Sequence, residues 1–248
     1  MSPTFPTLPT FSTKAAARDW AWNTLDEEGL ARPPLPTHGR IPNFAGAAAA
    51  ALRMFAEPLW AQARAIKVNP DSPQMAVRIM ALQRGLKVYV PTPKLAAGFN
   101  LLDPALIPPP SYAEAARLTT MPEWAQPVAL EDLPQLDAIV TGCAAVTAGG
   151  KRCGKGAGYS DIEFGILREL GHVPVPVATT VHDVQVVGDF PIEANDLPLT
   201  LICTPTRSIR VSEALPAPDG IQWDRISAEA LEAMPVLGEL QRLKHAPR

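Results

Sequence analysis

Apolar residues in this chain gather in short runs separated by helix-length segments. Ala65-Ile66-Lys67-Val68, Leu86–Val90, Asp137–Val140, Val173–Val177, Val184–Val187 and Leu199–Cys203 suit buried strands and are too short for helices. Between them lie helical signals. Thr13 is an N-cap for a helix from Lys14 to about Glu28, with Ala17, Ala21 and Leu25 on its apolar face and Lys14 and Arg18, four apart, on another. An Ala-rich helix is expected over about 45–57, with Leu52, Phe55 and Leu59 as core contacts. Ser72-Pro73 opens a third helix that ends near Gly85, and further helices are expected over Tyr159–Leu170 and Ser227–Leu243, the last interrupted by Pro235. The alternation predicts an α/β fold, a mainly parallel sheet covered on both faces, with ligands gathering at the C-terminal ends of the strands.

Composition removes several alternatives. No run approaches the roughly 18 apolar residues of a membrane span. The net charge of −3 leaves no general basic footprint for nucleic acid, and no RNP-type aromatic motif is present. Three cysteines without a CxxC pair fit neither a disulfide framework nor a zinc ribbon. The first residues lack the basic and apolar regions of a signal peptide, so a cytoplasmic protein is expected, monomeric or homodimeric. The 28 prolines, against a norm of roughly 5%, concentrate at the start, expected to be unstructured over 1–12, and in an irregular segment over 91–136.

The most informative segment is Lys151-Arg152-Cys153-Gly154-Lys155-Gly156-Ala157-Gly158-Tyr159-Ser160-Asp161. Glycine at every second position removes side chains from one stretch of backbone, so an anion can approach the N–H groups at a helix N-terminus. Arg152 and Lys155 add positive charge. The spacing fits neither a Walker A loop, since Gly156 stands where Ser or Thr should be, nor GxGxxG, nor GxSxG. On pattern alone the loop reads equally as an anion cradle or as a flexible turn before a helix.

This segment resembles the signature of the 5-formyltetrahydrofolate cyclo-ligase family (methenyltetrahydrofolate synthetases), whose mainline form reads Arg-Leu-Gly-x-Gly-x-Gly-Tyr-Tyr-Asp-Arg. Lys14-Ala15-Ala16-Ala17-Arg18, Val88-Tyr89-Val90-Pro91, Asp137-Ala138-Ile139-Val140 and Pro191-Ile192-Glu193-Ala194-Asn195-Asp196 resemble further family elements in the expected order, over roughly 14–204. Gly39-Arg40-Ile41-Pro42-Asn43-Phe44, Lys67-Val68-Asn69-Pro70-Asp71 and Gly158–Glu163 are closer to the diverged "methenyltetrahydrofolate synthetase domain-containing" branch. The resemblance implies a three-layer α/β/α sandwich of the sugar-isomerase/CoA-transferase type (NagB/RpiA/CoA transferase-like), with a cyclo-ligase-like domain over 13–211 and a C-terminal extension over 212–248.

It also implies a reaction. MgATP converts 5-formyltetrahydrofolate to 5,10-methenyltetrahydrofolate, with ADP and phosphate released. The cofactors implied are ATP and Mg²⁺. Carried over residue by residue, Lys14, Arg18, Arg152, Tyr159 and the main chain of Gly154, Lys155, Gly156, Ala157 and Gly158 would hold ATP. Asp161 would join them and, with Asp196, ligate Mg²⁺. Arg152, Lys155 and Tyr159 would carry catalysis, chiefly by positioning and charge neutralisation.

Each residue also has a plainer reading. Lys14 and Arg18 suit a solvated helix face, Asp161 a helix dipole and Asp196 an Asx-turn. Nothing places His182-Asp183 beside Ser160 as a triad. Departures from the mainline, Ser160 for the second tyrosine, Ile162 for arginine and Ser72-Pro73-Gln74 where the family's substrate-contacting glutamate would stand, leave the nucleotide half better kept than the folate half. A related MgATP enzyme acting on another heterocycle, with thiamine metabolism suggested for this branch, and a non-catalytic interaction module are the rival readings.

Overall fold

The computed structural model describes residues 8–245. In chain order the strands are β1 (Ala31–Arg32), β2 (Asn43–Phe44), β3 (Ala65–Val68), β4 (Lys87–Pro91), β5 (Phe99–Leu102), β6 (Gln126–Val128), β7 (Ala138–Val140), β8 (Ala145–Thr147), β9 (Arg152–Cys153), β10 (Val177–Thr180), β11 (Val186–Val187), β12 (Leu201–Cys203) and β13 (Ser208–Arg210). The helices are α1 (Lys14–Glu27), α2 (Ala47–Phe55), α3 (Met75–Gln83), α4 (Tyr112–Ala115), α5 (Tyr159–Glu169), α6 (Ala228–Ala233) and α7 (Pro235–His245).

Eight strands form the central sheet in the order β13-β12-β10-β7-β3-β4-β5-β6. The five from β12 to β4 are parallel, and the edges are antiparallel. Side chains alternate across this sheet because successive Cβ atoms point to opposite faces. Ile66, Val68, Val88 and Val90 bury against α2 and α3, whereas Tyr89, Ile139 and Ile202 join Phe164, Leu167, Leu237 and Leu240 of α5 and α7. The result is a three-layer α/β sandwich with a mainly parallel sheet. The same alternation sends Lys67 to the α5 side, where it meets Glu163.

The order of strand connection switches sides at β3. The α3 crossover carries the chain to β4 on one side, while β7 occupies the other. The loops leaving β3 and β7 therefore diverge and leave a crevice at the strand ends. Asn69 N–H still donates to Val140 O at 3.0 Å, so the crevice opens beyond that link. A second, three-stranded sheet, β11-β8-β9, carries the strand that leads into the Gly loop. α1 packs on it through Ala17, Ala21 and Trp22 against Ala144, Ala145 and Cys153.

Several expectations need correction. The 91–136 segment is not irregular throughout: β5, α4 and β6 lie in it, and β5 and β6 extend the sheet. Pro127 is tolerated there because β6 is the edge strand, where a missing N–H costs no ladder bond. The strand expected over Val173–Val177 begins only at Val177, since Pro174 and Pro176 have no N–H to give. The Val184–Val187 strand shortens to Val186–Val187 and pairs with β8, outside the main sheet. Leu52 is 60% exposed, because α2 turns Ala50, Ala51, Met54 and Phe55 inward instead. Part of the stretch expected to be unstructured, residues 1–7, lies outside the described residues. Residues 8–12 are tied down: Gly188 N–H donates to Pro9 O and Phe11 N–H to Asp189 O, each at 2.8 Å. Among the described residues no helix is long and apolar enough to cross a membrane.

Candidate active site

A cleft of about 1010 Å³ opens at the switch point. Every residue singled out from the sequence lines it: Lys14, Arg18, Arg152, Gly154 to Gly158, Tyr159, Asp161 and Asp196.

α1 supplies the first cations. Thr13 caps it, its hydroxyl accepting from Ala16 N–H at 3.1 Å. With Ala17 and Ala21 buried, Lys14 and Arg18 face the cleft. Lys14 Nζ lies 2.6 Å from Asp196 Oδ1 and 3.5 Å from Glu193 Oε1. Asp196 also closes its own turn, Oδ2 accepting from Glu193 N–H at 2.7 Å, the geometry of the turn reading.

β9 delivers Arg152 from the small sheet, almost fully buried. Its Nη1 donates to Asp161 Oδ1 at 2.6 Å. Burial alone would pull the guanidinium down, but Asp161 and the Cys143 thiol outweigh it and hold the group charged. Asp161 sits in the first turn of α5, where its charge also favours the helix dipole. The same Oδ1 accepts from Leu197 N–H at 2.9 Å, which brings Asp161 beside the residue following Asp196.

Between Arg152 and α5 the main chain is bare. Gly156 has φ +104° and Gly158 φ +71°, conformations that L side chains rarely adopt. A Cβ on Gly156 would stand 3.7 Å from the Arg18 guanidinium. The loop therefore presents backbone, a helix N-terminus and cations from two other elements to one space.

Lys155 turns elsewhere. Its Nζ lies 3.8 Å from Asp71 Oδ1, across the cleft on the loop after β3. That loop carries residues to which sequence reasoning gave no role. Arg78, fully enclosed, donates to the carbonyls of Asn69 (2.5 Å), Ala116 (2.9 Å) and Asp71 (3.2 Å), fixing the loop from below. Burial pulls its pKa down to about 10, with Asp71 opposing. Lys67 and Glu163 form a buried ion pair. Asn69 joins it, accepting from Lys67 Nζ at 3.0 Å and donating at 3.3 Å to both Glu163 and Ser160. Motif spacing could not have found this cluster. A lysine inside an apolar strand, read with a glutamate on the inner face of α5, was the available signal.

Ser160 thus answers to Asn69, not to His182, whose Nδ1 accepts from Val184 N–H in its own turn. Asp183 is taken by Thr204 and Thr206.

A profile of the 5-formyltetrahydrofolate cyclo-ligase family matches residues 18–205. The chain belongs to this family. Methenyltetrahydrofolate synthase domain-containing proteins of Mus musculus and Homo sapiens are 39% and 36% identical to it, each over 239 residues and 92% of this chain. The chain spans only 63% and 61% of their lengths. The NMR structure of 5,10-methenyltetrahydrofolate synthetase from Aquifex aeolicus shares the fold, with a TM-score of 0.51 at 16% identity, covering 82% of this chain and 95% of that one.

The cleft of this family member offers an anion exposed main chain at Gly154–Gly158 and cations from α1 and β9. Its fit to a divalent ion is narrower. Among the described residues no cluster of three or more His, Cys, Asp or Glu could hold a metal. Asp161 and Asp196 are neighbours already paired with cations. Two carboxylates already paired with cations would give Mg²⁺ only part of its shell, the rest falling to phosphate and water.

Proposed function

We propose that this chain is an MgATP-dependent 5-formyltetrahydrofolate cyclo-ligase or a close variant. The observation that carries the reading is the convergence of Lys14, Arg18 and Arg152 on the bare Gly154–Gly158 backbone in a cleft at the sheet's switch point. An amide-like formyl oxygen is a poor leaving group, and MgATP supplies the phosphoryl group that makes it a good one. The chain's own work is positional. Lys14, Arg18 and the loop N–H groups neutralise and align the phosphates. Arg152, held by Asp161, keeps a fixed charge beside them at no reorganisation cost, a kind of contact whose loss typically raises a barrier by about 3 kcal/mol. Tyr159, at the start of α5, lines the cleft and would stack on, or hydrogen-bond to, the bound ligands. Asp161 and Asp196 would share Mg²⁺ with the phosphates.

Purified protein incubated with MgATP and 5-formyltetrahydrofolate should develop the near-ultraviolet absorbance of the methenyl product. No signal at high protein concentration would reject the reading. Thermal stabilisation by MgATP but not by folates would then move the assignment to another heterocyclic substrate.

A further inference from the structure

Five acidic residues line the cleft: Asp71, Asp161, Glu163, Glu193 and Asp196. Four are committed. Asp161 pairs with Arg152 and Asp196 with Lys14, each at 2.6 Å, Glu193 with Arg225 at 2.5 Å, and Glu163 with Lys67. Asp71 differs. Its ion pair with Lys155 is 3.8 Å long, beyond a hydrogen bond, and its side chain, 19% exposed, lines the cleft.

Its surroundings are built for a donor. Gly142, leaving β7, has no side chain, and a Cβ there would lie 3.0 Å from Asp71 Oδ2 and 3.0 Å from Gln74 Oε1. Gln74 is fully buried, and its Oε1 has no hydrogen-bond partner among the described residues. Two acceptor oxygens thus converge on bare backbone. Asp71 also reaches across the cleft, since Lys155, 3.8 Å from its Oδ1, belongs to the Gly loop on the far side.

Resting on the function proposed above, we infer that Asp71 is the catalytic base that takes the proton from the substrate's attacking nitrogen as the ring closes. The balance is complete. The nitrogen lone pair forms the new C–N bond to the phosphorylated formyl carbon, and the N–H proton passes to Asp71 Oδ2. The C–O bond breaks with its electron pair on the departing phosphate, and the other ring nitrogen's lone pair completes the amidinium. Asp71 then returns the proton to solvent. Burial raises the Asp71 pKa, against the opposing pull of Lys155, Arg78 and Lys67, which makes its carboxylate a better proton acceptor.

The test compares Asp71→Asn and Asp71→Ala with wild type in the methenyl assay, with MgATP affinity and melting temperature as folding controls. A base of this kind contributes typically about 10²- to 10⁴-fold. Asp71→Asn should therefore lose at least about 100-fold in kcat, with the folate KM within about 3-fold and MgATP affinity kept. Formate should restore part of the Asp71→Ala rate, and the acid limb of the wild-type pH–rate profile should vanish in the variants. A raised KM at unchanged kcat, or an Asp71→Ala rate deaf to formate, overturns the inference while leaving the cyclo-ligase reading intact. A wild type that forms no methenyl product overturns both.

Discussion

Arg152 and Asp161 are nine residues apart in the chain and 2.6 Å apart in space, and the pair closes the strand–loop–helix turn on which the phosphate reading depends. One charge is almost entirely buried and the other largely so. Removing a single partner of a buried pair leaves an uncompensated charge, at a cost of about 3–5 kcal/mol. Asp161→Ala should therefore lower the unfolding free energy by that order in urea titrations. Replacing both, Arg152→Met with Asp161→Ala, should recover much of the stability and none of the MgATP affinity. Full stability in the single variant would mean that water reaches the guanidinium.

Backbone and side chain make separable contributions in the Gly loop. Gly156→Val would force a β-branched residue into φ +104° and push atoms towards Arg18. Lys155→Ala removes an ammonium that points at Asp71. Calorimetric titration with MgATP should show at least a ~10-fold weaker Kd for Gly156→Val and less than ~3-fold for Lys155→Ala. The reverse order would identify a site driven by side-chain charge.

The legible part of this molecule was whatever obeys a local rule. Thr13 caps α1 and the apolar runs become strands because capping and alternation act over a few residues. The Gly loop was legible because backbone exposure is written directly into residue type. β5 and β6 were hidden: Pro-rich sequence reads as loop, and only pairing with β4 shows that it forms an edge. The Asp71, Gln74 and Gly142 cluster was hidden for another reason. Its members meet only because β3 and β7 become neighbours, a long-range pairing that no motif encodes.

The stability of the fold should carry a pH signature from Asp71. Burial raises its pKa above the ordinary 3.8, with Lys155, Arg78 and Lys67 opposing. Between its unfolded and folded values the native state binds more proton than the unfolded chain, so stability falls as pH rises through that interval. The contribution is complete below the unfolded value and gone above the folded one. Asp71→Asn removes the titration, so its urea midpoint relative to wild type should climb as pH rises above the ordinary carboxylate value. A difference that is flat, or that declines, would show that the carboxyl is not held up by burial.

Gly142 guards the same space sterically. A methyl there would stand 2.8 Å from the Ile41 side chain and 3.0 Å from both Asp71 Oδ2 and Gln74 Oε1. Overpacking of this kind costs about 1–3 kcal/mol. Gly142→Ala should lower the melting temperature accordingly and cut methenyl formation, with the MgATP Kd little changed, because the methyl's three nearest neighbours, in Ile41, Asp71 and Gln74, lie outside the Gly154–Gly158 loop. Weakened nucleotide binding would mean that the two halves of the cleft are not independent.

The Lys67–Glu163 pair offers the sharpest test of what lies under the cleft. It joins β3 to α5 where an apolar pair would pack, and Asn69 links it to Ser160. Lys67→Met alone leaves Glu163 buried without its cation and should cost about 3–5 kcal/mol. Adding Glu163→Leu should return stability to within about 1 kcal/mol of wild type, since a well-packed apolar pair often matches a buried ionic one. The double variant would still lack the carboxylate that, with Ser160, accepts from the Asn69 amide. Its catalytic rate should therefore stay low after its stability returns. Recovery of both together would reduce the pair to a packing element and separate it from the chemistry above.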